Sequence, residues 1–173
     1  MNPFVKLARH AINSFVQSGG EEIPDSLREG IPDRKAGVFV SIHNKSGELR
    51  GCIGTILPTC KSMAEEIIQN AIWACSRDGR FEPIGKGELD ALVIKVDVLS
   101  EPEPIDSPDE LDPHKYGVIV SASRGRKGLL LPALDGVDTV EEQIEICRRK
   151  GGIRFNEPAT LQRFTVERYD ASS

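Results

Sequence analysis

Apolar positions recur at helical spacing from the start of the chain: Phe4, Leu7, Ala8, Ala11 and Phe15 follow Asn2-Pro3 and stop at Gly19-Gly20. That pattern predicts an amphipathic helix with Asn2 as its N-cap. Residues 21–36, with Pro24, Pro32 and many charges, predict a surface connection. Two β-rich runs follow, Val38 to Asn44 and Leu49 to Ile56, and the four residues Lys45 to Glu48 between them predict a hairpin.

After Pro58, Ser62 with Glu65 forms a capping-box pattern, and Met63, Ile67, Ala71, Ala74 and Cys75 make one stripe of a helix running to about Arg77. Leu92, Ile94, Val96 and Val98 alternate with Lys95 and Asp97, as in a strand with one buried face, and the run EPEPIDSPDE ends it. Tyr116 to Ala122 and Leu129 to Leu131 predict a second hairpin. Thr139 with Glu142 caps a last helix carrying Val140, Ile144 and Cys147, which stops at Gly151-Gly152. On these stripes Cys75 and Cys147 are core residues. Helices and mostly hairpin-linked strands, without a βαβ rhythm, predict an α+β fold with antiparallel sheets and flanking helices. No internal repeat is visible.

Composition narrows the classes. A mean hydropathy of −0.28 with 28% charged residues fits a water-soluble fold. No apolar run nears the ~20 residues of a membrane span, and MNPFVKLARH lacks a signal-peptide core. A cytoplasmic location is expected, and with it reduced thiols at Cys52, Cys60, Cys75 and Cys147, whose irregular spacing contains no CxxC. A formal charge of −5 disfavours a nucleic-acid partner, since phosphate affinity comes from clustered Lys and Arg.

The run Leu49-Arg50-Gly51-Cys52-Ile53-Gly54, LRGCIG, resembles the signature of the AMMECR domain family. AGVFVSI upstream, DGRFEPI at 78–84 and GLLLPAL at 128–134 are similar to further family segments in the same order, so the likeness covers nearly the whole chain. Two departures stand out: Gly79 where the family has proline, and Phe155 in the neighbourhood of an expected tryptophan. The resemblance implies one AMMECR-like domain over 1–173, made of two unequal α+β subdomains. The larger would hold both termini, the smaller would come from a central part of the chain, and LRGCIG would lie near their interface. It also implies a Memo-like protein and a radical SAM enzyme as partners. It implies no particular reaction.

The hairpin suggests what LRGCIG could do. Setting Asn44 opposite Leu49 puts Ile42 against Gly51 and Val40 against Ile53, which leaves Ser41, His43, Arg50 and Cys52 together on the other face. Arg50 beside Cys52 would favour a thiolate, and His43, diagonal to Cys52, would be placed to take its proton. Gly51 and Gly54 leave backbone uncovered for close approach by a ligand or another segment. On this reading Cys52 is the candidate catalytic thiol with His43 as a weaker partner. Arg50, Gly51, Gly54 and Arg80 line a subdomain cleft that takes a small molecule or a peptide through an anionic group. The competing readings are that Cys52 is packed, that Arg50 pairs with Asp78 or a C-terminal carboxylate, that His43 is a surface strand residue, and that the whole chain is a non-enzymatic interaction module.

Other features carry less. Ser123 to Gly128 is rich in Gly and cations but lacks the P-loop order, so a hairpin turn is expected. Asp106, Asp109, Glu110 and Asp112 lack calcium-loop spacing. His10, His43 and His114 form no ligand set and RGCIG is no dinucleotide fingerprint, so neither metal nor cofactor is expected.

Overall fold

The computed structural model describes residues 1–20 and 22–173; Glu21, the first residue of the expected connection, lies outside the described residues. In chain order the elements are α1 (Pro3–Ser18), β1 (Val38–His43), β2 (Leu49–Thr55), α2 (Met63–Ser76), β3 (Val93–Leu99), β4 (Glu103–Ile105), β5 (Gly117–Ser121), β6 (Lys127–Leu130), α3 (Val140–Lys150), β7 (Thr160–Phe164) and β8 (Val166–Tyr169). They fall into two compact units, Met1–Leu99 with Glu167–Ser173, and Ser100–Val166. The fold is α+β with two antiparallel sheets. Among the described residues no helix is long and apolar enough to cross a membrane.

Local chemistry explains the helix ends. Asn2 Oδ1 accepts the Phe4 N–H, Pro3 opens α1, and Gly19, at φ 81°, closes it. Thr139 and Glu142 exchange both bonds of a capping box at α3. At α2 only half of the expected box forms: Ser62 Oγ accepts the Glu65 N–H, while Glu65 turns its carboxylate to the Lys61 N–H.

In the first unit the sheet runs β2-β1-β3-β8. Its inner face, Val38, Val40, Ile42, Ile94, Val96 and Val98, is buried against α1 and α2. In the second unit the order is β4-β7-β5-β6, and Val118, Val120 and Leu130 pack with Cys147 of α3. The short strands β4, β7 and β8 were not foreseen from the pattern, because their burial does not alternate cleanly.

The two units repeat one connectivity. A hairpin is followed by a helix on its inner face and then by a strand that pairs back, antiparallel, on the first strand: β1-β2-α2-β3 and β5-β6-α3-β7. Each second strand passes a glycine under a helix carbonyl. A Cβ on Gly51 would lie 2.1 Å from the Ala74 oxygen, and one on Gly128 would lie 1.6 Å from the Cys147 oxygen. In sequence the repeat surfaces only in GVFVS at 37–41 and GVIVS at 117–121, which is why it escapes a reading by period.

Candidate functional site

β2 is the free edge of the first sheet, so every second N–H along it points away from β1 and needs another acceptor. At Cys52 that acceptor is Asp78, whose Oδ2 lies 2.9 Å from the Cys52 nitrogen. Asp78 is buried, and its carboxylate also holds Arg80, through Nε at 3.0 Å, Nη2 at 2.7 Å and the backbone N–H at 3.2 Å. Chiefly because of Arg80, the Asp78 carboxyl titrates far below the ordinary carboxylate range. Arg80 itself is 60% exposed at its side chain. Its pKa is raised, chiefly by the bond to Asp78 and against burial, with a smaller contribution from Cys52. Its guanidinium lies over the Phe81 ring, 5.3 Å from the centroid, and among the described residues Nη1 makes no hydrogen bond.

The register around Cys52 agrees with the expected one at Val40–Ile53 and Ile42–Gly51, and then departs from it. His43, not Asn44, faces Leu49. The Asn44 N–H bonds the Glu48 carbonyl and its Oδ1 takes the Ser46 and Glu48 N–H groups, so the tight turn closes one residue early. Arg50 becomes the extra residue of a β-bulge. Its guanidinium goes to Glu88, Nε to Oε2 at 2.8 Å and Nη2 to Oε1 at 3.0 Å, and not to Asp78 or the C-terminus. Glu88 also accepts the Gly85 N–H, so this ion pair pins the loop after α2 to β2. The Arg50 charge is thus already matched.

Cys52 directly opposes Ser41, and Ser41 opposes Lys95, so these three make one row on the outer face of the sheet. All three are half-buried. Lys95 makes no ion pair among the described residues. His43 shares that outer face, one step along β1 from Ser41 on the same side. Its pKa is lowered, first by burial and then by Lys95 and Arg168, against a smaller opposing effect of Asp97, so it is neutral at neutral pH. Asp97 is itself buried, and Arg168 holds it through Nε at 2.7 Å and Nη2 at 2.9 Å.

The two glycines of the motif are accounted for by the fold. Gly51 faces inward, where α2 occupies the space a side chain would need. Gly54 lies under the Phe39 ring, whose nearest atom would be 2.1 Å from an added Cβ. The close approach expected at both positions is therefore made by the protein's own segments and not by a ligand. Gly79 has open space around it and no left-handed backbone, so a side chain there would meet nothing nearby.

Sequence reasoning brought together Arg80, Cys52 and His43 but missed Asp78 as the shared anchor, Glu88 as the partner of Arg50, and Lys95. A signal for Lys95 existed in its outward phase on the predicted strand. None existed for Glu88, which is 38 residues from Arg50. Burial pushes the Cys75 thiol up to about 11 and the Cys147 thiol up to about 12, and it raises Cys60 too. Among the described residues no group of His, Cys, Asp and Glu is arranged to hold a metal.

The AMMECR1 family model matches residues 5–173. A protein of Thermotoga maritima is 50% identical over 170 residues, covering 97% of each chain. One of Clostridium acetobutylicum is 51% identical over 173 residues, covering 99% of this chain but 36% of the relative. The crystal structure of an uncharacterized protein from Pyrococcus horikoshii matches with a TM-score of 0.85 at 31% identity, covering 98% of this chain and 90% of that one.

Proposed function

The chain belongs to the AMMECR1 family, and we propose that it binds a small molecule or peptide through an anionic group at the β2 edge. Arg80 and Lys95 supply the charge, and the Cys52 thiol lies against the ligand. The observation that carries this reading is the Asp78 anchor. One buried carboxylate fixes both the Cys52 backbone and an exposed guanidinium, so cation and thiol are held in register before any ligand arrives. Lys95, two strands away at roughly 10 Å, adds a second cation on the same row, with no ion pair among the described residues and only a longer-range interaction with Asp170. Cys52 is also the candidate nucleophile, with neutral His43 on the same face as the candidate proton acceptor.

Native mass spectrometry of the purified protein tests the binding. A retained anionic mass in the wild type that is lost in Arg80→Gln supports it. Equal retention in both, or none in either, would contradict it.

A second reading has its own support. In the Clostridium relative the matching region is only part of a longer polypeptide, as expected for a module that works with other domains. Memo-like and radical SAM proteins are the partners this reading names. Co-purification with them that survives Arg80→Gln would favour it over the first.

A further inference from the structure

An edge strand invites pairing with another chain, and among the described residues the edges β4, β6 and β8 are blunted against it. β4 is three residues long and contains Pro104. Lys150 Nζ caps the Leu129 carbonyl of β6. β8 is four residues long and carries Glu167 and Arg168. β2, seven residues long, is guarded in its first half, by the bulge at Arg50 and by Asp78 on the Cys52 N–H. Gly54 lies beyond both. The Gly37 carbonyl accepts from Leu99, towards β3, so alternation along β1 turns Phe39 the same way and leaves Gly54, its partner on β2, facing outward. The Phe39 ring covers one side of Gly54, but the Gly54 N–H and C=O point to the open edge, and among the described residues neither makes a hydrogen bond there.

One flank of α2 runs beside that edge. Asn70 Nδ2 donates to the Val38 carbonyl and to Thr55 Oγ1, Glu66 accepts from Thr55, and Gln69 Nε2 donates to Thr59, so residues 66, 69 and 70 face β2 and the segment after it. Trp73 and Arg77 continue this flank at four-residue steps from Gln69. Trp73 is half-buried and stands outside the core cluster. Arg77 is exposed, lies 5.5 Å from the Trp73 ring centroid and makes no ion pair among the described residues. Leu57, just beyond β2, is 59% exposed. We propose that an extended peptide bearing a carboxylate docks here as an added strand. It exchanges main-chain hydrogen bonds with Gly54, lays apolar side chains on Trp73 and Leu57, and sets its carboxylate on Arg77. The proposal rests on the β2-edge reading and selects a peptide over a small molecule, because a polypeptide backbone offers the acceptor and the donor that Gly54 needs side by side.

The test is hydrogen exchange of the full chain, read at the Gly54 amide by NMR, together with the emission of Trp73, the one tryptophan of the sequence. The probe is a mixture of short peptides rich in Val, Ile and Thr, each carrying one Asp. At saturation it should slow Gly54 exchange at least about tenfold and shift Trp73 emission to the blue. A matched mixture with Lys in place of Asp should bind at least about tenfold more weakly, and Arg77→Gln should bring the Asp mixture down to that level. Methylating every backbone nitrogen of the peptides should abolish the protection. Gly54 exchange unchanged by the Asp mixture, or slowed as much by the Lys or the methylated mixture, would overturn the proposal. Its failure is distinguishable from that of the reading it rests on: an anionic mass lost in Arg80→Gln, with no protection at Gly54, overturns the peptide alone, whereas protection at Gly54 with no retained mass supports the peptide and removes the small molecule.

Discussion

The two units build the same hairpin, helix and returning strand, and the comparison separates what the architecture needs from what one unit adds. Both place a glycine of the second strand beneath a helix carbonyl, Gly51 under Ala74 and Gly128 under Cys147. Both also cover a strand glycine with a cross-strand phenylalanine, Gly54 with Phe39 and Gly117 with Phe164. These residues belong to the fold. In the second unit β6 is formed by Lys127 to Leu130, with no cysteine and no carboxylate recorded on its backbone. Each unit also ties the hairpin near its second strand to the segment after its helix with an Arg–Glu pair, Arg50–Glu88 and Arg126–Glu157. What the first unit adds is therefore Cys52 with the Asp78–Arg80 pair.

The largest expected effects test the shared part. Gly51→Ala and Gly128→Ala should each cost at least about 2 kcal/mol by urea unfolding, because the added methyl meets backbone that cannot yield cheaply. The effect should be greater at Gly128, where the contact is closer. A tolerated Gly51→Ala that abolished ligand retention would instead move Gly51 into the site.

Next comes the Asp78 anchor, which only the first unit has. Arg80→Leu leaves a buried carboxylate without its main partner and should cost about 1 to 3 kcal/mol. The folded-state pKa of Asp78 is depressed, so its stabilisation is complete above the ordinary carboxylate value of about 4 and is lost as the pH falls below it. Asp78→Asn should remove part of the acid-side loss of stability. An unchanged pH profile would show that Asp78 is not held as described. The smallest effect is expected at Glu88→Gln, at most about 1 kcal/mol, because that carboxylate is 40% exposed.

Much of the first unit was legible from residues alone. The cap at Asn2, the inward stripe of β1 and the outward grouping of Ser41, His43 and Cys52 all follow from local pattern, as does the Thr139 cap in the second unit. What escaped was set by contacts distant in sequence or by a single residue of register. The bulge at Arg50 arises from how Asn44 closes its turn. Glu88 meets Arg50 across a loop, and Asp97 is buried only because Arg168 reaches it from 71 residues away. β4 and β7 are too short and too mixed in polarity to announce themselves. Gly51 and Gly54, read as openings for a ligand or another segment, are seats for a helix and a ring, and spacing does not encode which of the two approaches.

The most direct test of the Cys52 edge compares native labelling by an anionic disulfide, dithiobis(nitrobenzoate), with labelling by neutral iodoacetamide, with Cys52 followed by peptide mass spectrometry. Cys52 should label in the folded protein while buried Cys75 and Cys147 label only on unfolding. Its preference for the anionic reagent should fall about fivefold in Arg80→Gln, the factor given by ~1 kcal/mol of Coulomb attraction. A Cys52 that resists both reagents until the protein unfolds, or an anionic preference unchanged by Arg80→Gln, would contradict the account.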